Sequence, residues 1–262
     1  MRSGRFLLGQ QLIYLRDLLR ELVLRDLKLR YKGSVLGIAW SLLNPLAQLL
    51  VFGLVFSTIL PLNIPNYTAF LFSGLLVWSW FQSSLFAATT VIVDGRSLIK
   101  RPGFPVALLP VVTVMANLVH FVLALPVLLL FLLVTGLPLH GTVWLLPLLL
   151  GIQFLFTVSI AYFLAAVHVT FRDTQHLVGV FLLLLFYLTP IFYDGSVVPE
   201  RLQPLYQLNP LFHLLAAYRA ILMTGQWPDF AALGLITAVS TGLLFIGFRV
   251  FGRASLTFVE EL

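Results

Sequence analysis

Ionisable side chains carry most protein chemistry, and this chain keeps nearly all of its own out of its apolar runs. The ten acids are Asp17, Glu21, Asp26, Asp94, Asp173, Asp194, Glu200, Asp229, Glu260 and Glu261, and each falls at the end of an apolar run or in a loop. Ion-coupled transport generally needs buried carboxylates, and a membrane-embedded transferase needs paired acids or an Asp-rich metal cluster. Neither pattern is present. His120 and His168 stand singly, and lone imidazoles between apolar helices are more often interhelical hydrogen-bonders than catalysts. There is no cysteine, hence no disulfide framework or thiolate metal site. The three lysines, Lys28, Lys32 and Lys100, lack the glycine spacing of a phosphate-binding loop. No catalytic residue, metal or cofactor is therefore expected on this chain, and any ATP and Mg must sit on another polypeptide.

What the apolar runs do carry is aromatic and amide surface. Trp40, Asn44, Gln48, Phe52 and Phe56 recur every fourth residue and form one stripe on a helix. Further along, Phe181, Leu185, Leu188 and Phe192 share a face, with Phe186, Tyr187 and Tyr193 nearby. Rings with a polar edge suit a slot for sugars, whose C–H faces stack while hydroxyls seek amides. The plainer alternative is helix packing plus interfacial aromatic belts, which fits Trp78, Trp80 and Phe81.

These residues are positioned by a membrane fold. The chain is 60% hydrophobic and 10% charged, with a mean hydropathy of +1.01. That composition excludes a soluble domain. The pI near 9.9 reflects charge placed beside apolar runs, which points to a membrane surface and not to nucleic acid. The pattern predicts an all-α integral membrane protein with six spans, at 36–60, 69–93, 106–135, 143–169, 177–192 and 230–251. Residues 1–33 read as a cytoplasmic amphipathic interface helix, with Leu8, Leu12, Leu15, Leu19 and Leu22 at helical spacing. Glu21 and Arg25 are placed for an i,i+4 pair. Arg25, Lys28, Arg30 and Lys32 are costly to carry through hydrocarbon and suit lipid head groups, with Gly33 and Ser34 as the joint to the first span. No cleavable signal peptide is apparent. Fourteen of the sixteen Lys and Arg residues fall on one side of the predicted spans, leaving only Arg201 and Arg219 on the other. The positive-inside rule then places both termini in the cytoplasm.

Residues 94–105 form a short cytoplasmic loop with Arg96, Lys100 and Arg101, suited to docking in a partner's groove or to anchoring topology. Residues 194–229 are external. Within them, Asn209-Pro210 starts a helix that Gly225 stops, too short to cross and interrupted by His213 and Arg219, so a re-entrant helical hairpin is expected between spans five and six. A second short helix is expected over 199–206.

Together these features resemble the permease subunit of type-2 ABC exporters of polysaccharide, the O-antigen and teichoic-acid group. The resemblance rests on Arg25-Asp26-Leu27-Lys28-Leu29-Arg30-Tyr31-Lys32 with Ser34-Val35-Leu36-Gly37 and Trp40, and on Lys100-Arg101 with Phe104-Pro105. It extends to Phe171-Arg172-Asp173, Leu188-Thr189-Pro190-Ile191-Phe192-Tyr193, and Asn209-Pro210-Leu211 with Tyr218-Arg219. It implies a homodimer in the bacterial inner membrane, two separately encoded P-loop ATPase subunits below it, and a polyprenyl-linked glycan threaded between the protomers. By similarity, the first and fifth spans line that channel (Trp40, Asn44, Gln48, Phe52, Phe56, Phe181, Tyr187, Phe192). The Lys100 loop would couple to the ATPase, and the outer hairpin with His213, Tyr218 and Arg219 would gate the exit. A drug or small-lipid exporter of the same family is the nearest alternative, and a membrane-embedded transferase the alternative from another class.

Overall fold

The structure is a computed structural model describing residues 2–59, 62, 64–256 and 258–261. The side chains of Leu8 and Leu12, and Leu60 at the predicted end of the first span, lie outside the described residues. The described chain is helical, with α1 (Arg2–Arg30), α2 (Trp40–Leu54), α3 (Tyr67–Asp94), α4 (Arg96–Ile99), α5 (Leu108–Val134) and α6 (Leu146–Thr170). These are followed by α7 (Thr174–Leu188), α8 (Gln203–Gln207), α9 (Pro210–Arg219), α10 (Phe230–Ala254) and α11 (Phe258–Glu261).

Four helical segments, Tyr67–Asp94, Leu108–Val134, Gly141–Thr170 and Phe230–Ala254, are long and apolar enough to cross a bilayer. They correspond to the second, third, fourth and sixth predicted spans. The other two are shorter as regular helices. The first is a 3-10 turn (Gly37–Ala39), then α2, then a π turn (Val55–Ile59). The fifth, predicted over 177–192, stops at Leu188, because Pro190 has no N–H and drives Thr189 to an extended φ of −103°.

Helix α3 is the centre of the bundle, with α2, α5, α6 and α7 packed around it. Its aromatics are consequently core. Trp78, Trp80 and Phe81 are all buried, which corrects the interfacial-belt reading of these three. Each indole finds an internal acceptor, Trp78 Nε1 donating to Gln82 Oε1 (2.8 Å) and Trp80 Nε1 to the Val114 carbonyl (3.3 Å). A belt needs rings at the lipid–water boundary, and these three face neighbouring helices instead.

Helix α1 lies on α5 through Leu22 and Val23, with Leu18, Leu19 and Leu27 half-buried beside them and Leu15 at the exposed edge. The i,i+4 pair of this helix is Asp26 with Arg30 (3.3 Å), while Glu21 and Arg25 do not meet. Gly33, at φ +79°, turns the chain out of α1 toward α2.

Helices α6 and α10 pack along an extended seam. A Cβ at Gly247 would sit 2.9 Å from Phe163 Cε2 and 3.2 Å from the Ser159 carbonyl. We expect Gly247→Ala to destabilise the chain by about 1–3 kcal/mol through overpacking, read as a lower melting temperature of the purified protein. A melt identical to wild type would mean the seam relaxes freely.

Candidate functional site

The carboxyl-terminal ends of α2 and α7 converge on one aromatic cluster. Phe52 and Phe56, one turn apart on α2 and its π turn, stack nearly parallel at 6.1 Å between centroids. Phe192, just beyond the break that ends α7, lies 5.7 Å from Phe52 and 5.5 Å from Phe56. It also meets Phe186 (5.9 Å), Tyr187 (6.0 Å) and Tyr193 (5.0 Å). Phe192 is the hub because the Thr189-Pro190 kink swings it off the α7 axis and back toward α2. The faces that flank this cluster are open: Leu50, Val51, Leu54, Leu184, Tyr187 and Leu188 are exposed, and Phe52, Phe56 and Phe192 are half-buried.

The stripe read along α2 does not stay together. Phe52 and Phe56 join the cluster, whereas Trp40 and Asn44 line a separate polar cavity of about 240 Å³ at the other end of the helix. This cavity lies between the end of α1 and helices α2, α3 and α5. Arg30 Nη1 donates to Asn117 Oδ1 (2.8 Å), whose own amide donates to the Thr113 carbonyl (2.9 Å). Tyr31 Oη and His120 Nε2 are 3.3 Å apart with their rings edge to face. Burial pushes the Asp26 carboxyl above its ordinary range, against the lowering pull of Arg30. Gln48 is half-buried between the two sites, and Phe181 faces an apolar cavity with Phe81 and Phe156.

The 94–105 loop contains α4, a single helical turn. Leu98 and Ile99 are buried beneath it, while Arg96, Lys100 and Arg101 are exposed. Leu98 and Arg101 share a groove of about 520 Å³ with Tyr14, Glu21 and Arg25 of α1, so the loop and the amino-terminal helix form one surface. Lys28 and Lys32 are exposed beside it.

On the hairpin, Asn209 Oδ1 caps α9 by accepting from Leu211 N (3.0 Å), and Gly225 ends the following π turn at φ +67°. Asn209 Nδ2 also donates to Thr189 Oγ1 (2.9 Å), tying the hairpin to the broken end of α7. Arg219 tightens the same joint. Its Nη1 donates to the Pro190 carbonyl and its Nη2 to the Ile191 carbonyl, both at 2.7 Å, and its guanidinium lies 3.4 Å over the Phe70 ring. Tyr218 is 1% exposed, in the core beside Phe121. His213 hydrogen-bonds the Gln207 carbonyl (2.8 Å) within the hairpin. Hydrogen bonds from Ser196 hold the Asp194 carboxyl below its ordinary range at the rim of this region.

The arrangement has aromatic open faces, a basic turn over 94–105 and a kinked chain after α7. Among the described residues, no cluster of His, Asp or Glu could hold a metal. The sequence pattern described as ABC-2 type transporter matches residues 17–223, most of this length. The chain belongs to the ABC-2 type transporter family. This ABC-2 chain is 38% identical over 257 residues to an O-antigen export system permease protein RfbA of Myxococcus xanthus, covering 97% of this chain and 99% of the relative. A Klebsiella pneumoniae RfbA is 33% identical over 250 residues, 95% of this chain and 96% of the relative. A polysialic acid transport protein KpsM of Escherichia coli is 24% identical over 234 residues, 88% of this chain and 90% of the relative.

Sequence reasoning on the ABC-2 chain missed Tyr31 and Asn117, while His120 makes the interhelical hydrogen bond expected of it, to Tyr31. Their positions, 86 to 89 residues apart along the chain for Tyr31 with Asn117 and His120, leave no local spacing that could have linked them. The signal available was only that Asn117 and His120 share one face of an otherwise apolar helix.

Proposed function

We propose that this chain is the channel-forming permease subunit of an ATP-driven exporter that moves lipid-linked polysaccharide, of O-antigen or teichoic-acid type, across the bacterial inner membrane. The observation that carries this reading is the near full-length similarity to the O-antigen export permeases. The open aromatic face of α2 and α7 supports it, because exposed rings in an apolar bundle suit sugar stacking and contact with a second copy. The chain is a transport subunit and not an enzyme. Its family draws on an ATPase partner, and we place two copies of that P-loop subunit beneath a permease homodimer.

In this reading the chain crosses six times, α2 and α7 reaching full length through the turns that extend them, with both termini cytoplasmic. Residues 1–33 lie along the cytoplasmic interface. Arg25, Lys28 and Lys32 face head groups, and the 194–229 hairpin dips into the outer leaflet and gates the exit. ATP and Mg, bound by the partner, close the nucleotide dimer. That movement reaches the membrane through the exposed Arg96, Lys100 and Arg101, while buried Leu98 and Ile99 transmit it to α3 and α5. The α2 and α7 faces then part around the glycan.

Reconstitution tests this. The purified chain alone should hydrolyse no ATP, and co-purification with the adjacent ATPase should give hydrolysis that falls at least about tenfold when Arg96, Lys100 and Arg101 are all changed to Ala. Uphill transport by the chain alone in liposomes would overturn the assignment.

A further inference from the structure

Helix α7 does not seat fully on the bundle. Between it and helices α3 and α6 is a cavity of about 360 Å³, with α8 and the start of α9 completing the wall. The floor of the cavity is core. Phe81 and Leu211 are 1% exposed, and Leu85 and Phe156 are buried beside them. The rim is at the surface of the bundle, where Leu188, Leu205 and Leu208 are exposed.

The lining offers nothing to water. Only Tyr206 and Asn209 contribute polar side chains, and both are already engaged. Asn209 Oδ1 accepts from Leu211 N, its Nδ2 donates to Thr189 Oγ1, and Tyr206 Oη accepts from Tyr193 Oη at 3.1 Å. Among the described residues, none of the buried side-chain polar atoms that lack a partner belongs to this lining. A buried water needs several polar partners, and a void left empty forfeits the dispersion contacts of all its walls.

The surrounding medium decides the occupant. Two walls, α3 and α6, belong to helices long and apolar enough to cross a bilayer, so the rim opens on hydrocarbon. No charged side chain lines the cavity, and a head group would find no partner in it. The volume is at the low end of the roughly 300–1,000 Å³ of pockets that enclose small molecules, which suits the end of a flexible aliphatic chain.

We propose that this cavity takes an acyl chain of a membrane phospholipid, which wedges α7 away from α3 and α6 while its head group stays outside. An inserted chain limits how closely α7 approaches the bundle. That α7 closes during transport when the chain withdraws rests on the export reading above, whereas occupancy of the cavity does not.

The test uses the full chain, co-purified with its ATPase and reconstituted in vesicles of phosphatidylethanolamine and phosphatidylglycerol. A fraction of the phosphatidylglycerol carries a photoreactive diazirine at the end of one acyl chain, and adducts are mapped by peptide mass spectrometry. Adducts are expected on Phe156, Ile160 and Leu211 as readily as on Leu235 and Ile246, which are exposed on α10. Ile160→Phe fills the cavity from α6, and Leu185→Phe fills it from α7. Each should lower labelling of the floor about fourfold relative to α10. Adducts on α10 alone, or floor labelling unchanged in both folded variants, overturn the proposal. A floor protected in the dimer and labelled only after dissociation also overturns it, and assigns the cavity to a second copy of the chain. If neither variant folds, the wild-type adduct pattern decides. Partner-dependent ATP hydrolysis on the same vesicles separates failure of this site from failure of the exporter assignment.

Discussion

Replacing Arg219 by Ala is expected to unfold the region around Pro190 and α9 first and to lower the melting temperature of the purified chain by about 10 °C. The Pro190 and Ile191 carbonyls have lost helical donors at the proline break, and Arg219 supplies both at 2.7 Å. Charge-assisted hydrogen bonds contribute about 1.5–3 kcal/mol each, and carbonyls left unpaired in an apolar setting add to the cost. Arg219→Lys should recover little, since an ammonium cannot span two carbonyls as a planar fork does. Gly74→Ala approaches the same latch from α3, because a Cβ there would lie 2.8 Å from Arg219 Nη2 and 2.9 Å from the Ile191 carbonyl. The two substitutions share one contact, so their effects should be less than additive. A wild-type melt for Arg219→Ala would show that the kink holds itself.

Phe192→Ala carries the largest expected effect on transport. Its ring touches Phe52, Phe56, Phe186, Tyr187 and Tyr193, which makes it the hub of the aromatic contact between α2 and the end of α7, beside the direct Phe52–Phe186 pair at 5.9 Å. Aromatic pairs are worth about 0.5–1.5 kcal/mol each, and losing a net contribution at the top of that range in the translocation step slows it about tenfold. Surface polysaccharide should fall by that factor while the amount of permease in the membrane stays normal, since the ring is only half-buried and its loss leaves no sealed cavity. Phe192→Tyr should restore export. Normal export in Phe192→Ala would mean that the cluster is packing and not path.

The two experiments probe the two faces of one device. Thr189-Pro190 ends α7 early, and the chain beyond it is held from one side by Arg219 and Asn209 and projects Phe192 to the other. Anything that loosens the latch should therefore also disturb the aromatic cluster. Export in Arg219→Ala should fall further than its membrane level does.

Several features were legible from residues alone because their causes are local. Apolar length and the absence of buried acids gave a membrane protein without chemistry of its own, and the family resemblance gave the transport role that the relatives support. Asn209-Pro210 and Gly225 bound the hairpin helix because capping and left-handed turns are decided within a few residues. The basic turn at 94–105 was visible for the same reason, though not that Leu98 and Ile99 seat it.

Other features depended on which helix lies beside which. A period of four places Trp40, Asn44, Gln48, Phe52 and Phe56 on one face but says nothing of what that face meets at each level. The bundle divides the stripe between a polar cavity and an aromatic cluster. Trp78, Trp80 and Phe81 look like boundary residues until the fold sets their faces of α3 against other helices. Arg219 counts as an outer-side charge in a topology sum, yet folding sets it against two carbonyls that a distant proline has freed. Arg30 reads as one of four equivalent cations, and only the approach of α5 singles it out by giving it Asn117 as a partner. The sequence determined the solvent each segment requires. The tertiary structure decided the partners, because the energies of burial and helix capping are local to the chain while those of pairing belong to residues that meet only after it folds.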